Sequence, residues 1–143
     1  MTTSDTGRPA RTALPELDSR EASSISWTGT LRLGNGVDAL SLPVGHAGAV
    51  TSRLARAMFS PVVLSWPGPW PRWVFLTGQA TPLSLDDLVR LDLVGAYILP
   101  AGHELALPPG QVQDRPVRWV LPPHPGLDLP LWQAVVNAAL GQT

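Results

Sequence analysis

The chain has 143 residues, 44% of them apolar and 15% charged, and a formal charge of −1. That suits one globular domain and leaves no bulk field to draw it to nucleic acid or an anionic membrane. With no cysteine and with arginine supplying all ten cations, disulfides, zinc–thiolate sites, thiol catalysis and lysine Schiff-base chemistry are excluded. The missing lysine and the sixteen prolines fit the codon bias of a GC-rich bacterium. No apolar core of signal-peptide type and no apolar run of spanning length is present, so a cytoplasmic location and no membrane partner are expected.

Residues 1–24 are rich in Ser, Thr, Pro and charge, and are expected to form a disordered tail, with a single domain over 25–143. Ile25–Leu33 alternates as a strand with Trp27, Gly29, Leu31 and Leu33 on one face. Gly34-Asn35-Gly36 reads as a tight turn into Val37–Leu42, so these two strands are expected to form a hairpin. Ala47–Met58 carries Val50, Leu54, Ala57 and Met58 at helical spacing, leaving Arg53 and Arg56 solvated. Pro61–Trp66 and Arg72–Thr77 read as strands either side of the Pro67–Pro71 turn.

Ser84 is a predicted N-cap for a helix over Ser84–Leu91, with Asp86 and Asp87 favoured by the helix dipole and Leu85, Leu88 and Val89 as the buried stripe. Val94–Pro100 and Glu104–Leu107 follow as strands, the latter stopped by Pro108–Pro109. Pro116–Leu121 is a strand with Val117, Trp119 and Leu121 on one face and Arg118 and Val120 on the other, stopped by Pro122–Pro123. Leu129–Leu140 reads as a closing helix with Trp132, Val135, Val136, Ala139 and Leu140 inward. Pro130 stands in its first turn and Gly141 past its end. The order ββαββαβββα predicts an α+β domain with helices packed on a mixed or antiparallel sheet.

Several segments carry a resemblance in order and spacing. They are Val37–Pro43 with the helix behind it, Arg72-Trp73-Val74-Phe75, Leu91-Asp92-Leu93-Val94-Gly95, Gly102–Pro109 and Pro116–Pro123. Together they resemble the bacterial bifunctional DNA primase/polymerase N-terminal family, the prim–pol domains of the archaeo-eukaryotic primase superfamily. The resemblance runs from about Gly36 to the C-terminus and implies a prim–pol-like fold. In polymerising members two acids one residue apart bind the divalent metal. Here Asp38 is followed by Ala39 and Leu40, so the second acid is missing. Val94 stands where the family has an arginine, and Arg72–Phe75 lacks the phosphate-gripping histidine. A shortened, catalytically degenerate pseudoenzyme is therefore implied.

Asp38, Asp92 and His103 are the remnant candidates for a catalytic or metal site, with chemistry suited to Mg²⁺ or Mn²⁺. The plainer readings are a strand-end acid, a solvated helix-end acid and a strand histidine. Arg72, Arg118 and Trp70 are the candidate contacts to nucleic acid or a partner, since exposed Trp beside Arg stacks bases. Trp27, Trp73 and Trp132 read as core residues. His46 and His124 match no metal spacing, and no hydrolase or phosphate-loop motif occurs.

Three functions follow in order. The first is a cofactor-free binding module for nucleic acid or for a replication or regulatory protein. The second is a divergent metal-dependent nucleotidyltransferase of primase/polymerase type using Mg²⁺ or Mn²⁺. The third is a self-associating interaction protein, with a homodimer as its partner state.

Overall fold

The computed structural model describes residues 25–142; the expected N-terminal tail lies outside them. Five strands form the central antiparallel sheet: β2 (Asp38–Pro43), β3 (Val62–Trp66), β4 (Arg72–Thr77), β5 (Tyr97–Ile98) and β9 (Arg118–Leu121). Their order across the sheet is β5-β2-β4-β3-β9. Among the described residues three helices accompany it: α1 (Val44–Arg56), α2 (Leu85–Leu93) and α3 (Trp132–Ala139). β1 (Thr30–Arg32) pairs with β6 (Glu104–Ala106), and β7 (Gln111–Val112) pairs with β8 (Arg115–Pro116), each as a separate two-stranded ribbon. The domain is α+β, and among the described residues no helix is long and apolar enough to cross a membrane.

Strand alternation explains the layers. Leu40 and Leu42 of β2, Val63 of β3 and Phe75 of β4 project to one side, where they meet Ala47, Val50 and Leu54 of α1 and Trp132, Val135 and Val136 of α3. Ala39, Val62, Leu64, Val74 and Leu76 project to the other side, where Leu33, Leu105, Leu107 and Val117 cover them. A sheet with both faces covered needs near-continuous apolar strands, and β2 to β4 supply them. At the margin of the second layer Trp27 meets Trp119 edge to face, with ring centroids 6.0 Å apart.

Five sequence expectations are corrected here. The first hairpin does not form: β1 pairs with β6, through Leu31 opposite Leu105, rather than with β2. The Gly34–Gly36 link does turn the chain, with Gly34 N–H donating to Val37 O at 2.8 Å, but both glycines lie at positive φ and the turn swings β1 out of the central sheet. A Cβ on Gly34 would stand 2.8 Å from Ala101 Cβ, so the absent side chain lets the chain leaving β1 pack against the chain entering β6.

The helix α1 ends before Ala57, leaving Met58 exposed with φ +68°. Arg53 is not solvated: its Nη1 donates to Ala138 O at 2.7 Å. His46 joins it, since its Nε2 lies 2.8 Å from Ala139 O; a carbonyl only accepts, so that nitrogen carries the proton. Both side chains thereby satisfy carbonyls at the end of α3, where positive partners are favoured.

Ser84 caps α2 as expected, accepting from Asp87 N–H at 3.1 Å, but the predicted stripe faces outward. Leu85 is 77% exposed and Leu93 78%, with Leu88 and Val89 also exposed. The inward side is built from Asp87, Arg90, Leu91 and Val94, nearly opposite the apolar stripe. Only Leu91 of this helix is fully buried.

In β9 a register shift between Val63 and Leu64 of the partner strand breaks the predicted alternation. Val117 and Trp119 keep to the second layer, while Leu121 and Val120 both pack on the helix side. A β-bulge re-aims a side chain in this way.

Candidate functional site

Where β2 and β3 end and β4 begins, the sheet leaves an open cleft of about 740 Å³. Its walls come from the Pro67–Trp70 turn, the Gly95–Pro100 segment, His103 and the tip of the β7–β8 hairpin. That size lies within the ordinary range for small-ligand sites. Trp66, Trp70, Tyr97 and His103 give it aromatic surfaces, and Arg72 and Asp92 carry its formal charges.

The local sequence accounts for the shape. Prolines at 67, 69 and 71 restrict the backbone and remove donors, so the β3–β4 connection stands away from the ladder. Trp70 is carried outward on it and is 85% exposed. Trp66, at the end of β3, holds its ring 6.0 Å from the His103 imidazole at a tilt of 44°. His103 reaches this point because its backbone is fixed on both sides: its N–H donates to Pro100 O and its C=O accepts from Leu33 N–H.

Arg72 opens β4 and crosses to β2. Its Nε donates to Ser41 Oγ at 2.5 Å, one Nη2 hydrogen goes to Ser41 O at 3.0 Å, and the other to Gly95 O. Burial pulls the guanidinium below its ordinary pKa, yet an arginine stays charged at neutral pH. Among the described residues it has no ion-pair partner, and Nη1 makes no hydrogen bond. Two donors of a fixed cation thus have no partner among the described residues and can serve a ligand. The close approach depends on Gly95, whose φ is +79° and whose missing Cβ would stand 2.9 Å from Pro43 Cγ.

The sequence-derived candidates separate into two places. Arg72, Trp70, Asp92 and His103 all line the cleft. Asp38 does not: two residues before Leu40, it shares the helix-side face of β2, and its Oδ2 accepts from Ala80 N–H at 2.7 Å. Asp38, Asp92 and His103 are therefore not brought together, and among the described residues no group of three or more His, Asp or Glu side chains is arranged to hold a metal ion. Arg118 also lies outside the cleft. It pairs with Ser65 in register and is exposed, on the sheet face opposite Trp66.

Sequence reasoning missed Ser41, Tyr97 and Gln113 as cleft residues. The Gly95 turn beside Tyr97 and the polar Gln113-Asp114 pair were the available signals. Neither says which cleft it serves until the topology is known. No family model, curated protein or solved structure matches this chain.

Proposed function

We propose that this domain is a non-catalytic, prim–pol-like binding module whose cleft receives an unpaired nucleotide of a single nucleic-acid strand. The observation that carries the reading is Trp70, 85% exposed in a cleft that Arg72, Trp66, Tyr97 and His103 also line. Aromatic faces accept a base by stacking, and a guanidinium offers paired donors to a phosphate. Volume, aromatic lining and one cation without an ion-pair partner among the described residues together suit a nucleotide better than a purely apolar guest.

Two features favour binding over catalysis. Leu40, where the resemblance would place the second metal-binding acid, is a core residue of the helix layer. Asp38 has its carboxylate committed to Ala80 N–H. Two-metal phosphoryl transfer needs carboxylates free to face the substrate.

The test is a tryptophan-fluorescence titration with short single-stranded DNA and RNA oligomers. Trp70→Ala should weaken binding by roughly tenfold, since base stacking is worth about 1–3 kcal/mol. Arg118→Ala should leave affinity unchanged. With one cation in the cleft, log K should fall with log salt at a slope of only about −0.7 per phosphate contacted. Equal affinity of Trp70→Ala and wild type would overturn the assignment. A Mn²⁺-dependent thermal shift with nucleoside triphosphates would favour the nucleotidyltransferase reading instead, and a concentration-dependent mass the self-associating one.

A further inference from the structure

We infer that Gln113 reads the base held in the cleft and gives the domain a preference for adenine, an inference that rests on the single-strand reading above. The β7–β8 ladder pairs Gln111 with Pro116 and Val112 with Arg115, leaving Gln113 and Asp114 as a two-residue turn. Both have positive φ, +51° and +64°, the backbone of a type I′ turn. Such turns favour Asn-Gly; glutamine, with its Cβ, is disfavoured there.

Nothing in the fold requires glutamine at this position. The residue is exposed, and among the described residues its amide makes no hydrogen bond. Yet Val112 and Gln113 line the same cleft as Trp66, Trp70 and Arg72. Unfavourable backbone geometry retained at the rim of a binding cleft points to a function for the side chain. A carboxamide has donors and an acceptor in one plane, which match the N6 amino group and N7 of adenine bidentately. With the base stacked on Trp70 and its phosphate on Arg72, the base edge is the part left to be read.

The experiment compares wild type with Gln113→Gly, titrating each with oligo(dA), oligo(dC) and oligo(dT) of equal length and melting each protein alone. Glycine removes the amide while relieving the positive φ. Wild type should prefer adenine by roughly tenfold, the size expected of one bidentate contact. The glycine variant should lose that preference, its affinity for oligo(dA) falling most, and melt at a higher temperature. A preference that survives in Gln113→Gly, or a wild type indifferent to base, overturns the inference while leaving the cleft reading intact. A lower melting temperature for Gln113→Gly would mean that the side chain serves the fold, and would overturn it as well. A wild type that binds none of the oligomers overturns the proposed function itself, before any variant is compared.

Discussion

Arg72 holds Ser41 twice, through Nε to the hydroxyl and through Nη2 to the backbone carbonyl, and so ties the first residue of β4 to the middle of β2. The same guanidinium reaches Gly95 O and fixes the segment that carries Tyr97 into the cleft. One side chain thus builds a wall of the site and presents a charge to it. Ser41 is buried, so its hydroxyl has little alternative partner in water.

Ser41→Ala should cost about 1 kcal/mol, the ordinary net worth of one hydrogen bond. Arg72→Lys should cost more, about 1–3 kcal/mol, because an ammonium on a flexible stem cannot serve three acceptors as the planar fork does. Urea denaturation checks both, with an unchanged dependence on urea showing that the native state is otherwise intact. A lysine variant as stable as wild type would show that the clip is not maintained in solution.

The α2 helix gives a second prediction, from Leu85, Leu91 and Leu93. Leu85 and Leu93 face solvent, whereas Leu91 is buried. Leu85→Glu and Leu93→Lys each place a charge where the helix dipole favours it, and stability should change by no more than about 0.5 kcal/mol. Leu91→Ala should cost about 2–5 kcal/mol. Thermal or urea unfolding of the three variants decides the matter. A large loss from Leu85→Glu would restore the inward stripe that the sequence suggests.

The contrast shows what was legible and what was not. Strand existence was readable wherever apolar runs lay between prolines: Arg72–Thr77 was found to the residue, and Val62–Trp66 to within one. Strand partnership was not. Leu31 meets Leu105 across a separation that no local turn signal encodes, and the Gly34–Gly36 turn looks the same in sequence whether or not its flanking strands pair. In α2, Leu85, Leu88 and Val89 have ideal spacing, but packing was decided by where the chain enters and leaves the helix.

The site divides in the same way. Trp70 was legible as exposed because its Pro-Gly-Pro setting excludes a ladder position. Arg72 and Arg118 both open short strands and look equivalent in sequence. Register separates them, putting one in the cleft and the other on the opposite face. Arg53, read as solvated, instead clips the end of a helix that follows it by some eighty residues.

Asp38 supplies the last prediction, because its surroundings assign it a structural task. Its side chain is only 5% exposed as a residue and accepts from Ala80 N–H, anchoring the segment that leads from β4 towards α2. Asp38→Ala should cost about 1–3 kcal/mol, since a backbone donor would lose its partner in a mostly buried setting. Asp38→Asn keeps a side-chain oxygen and should lose less. Neither variant should alter oligonucleotide affinity under conditions where it remains folded. Melting curves with and without Mn²⁺ complete the test, because a metal held by the native state must raise the melting temperature. Asp38 acting as an anchor predicts that both variants start from a lower melting temperature and that any Mn²⁺ effect equals that of wild type. A Mn²⁺ stabilisation present in wild type and lost in both variants would instead make Asp38 a ligand, with its bond to Ala80 exchanged for one to the ion.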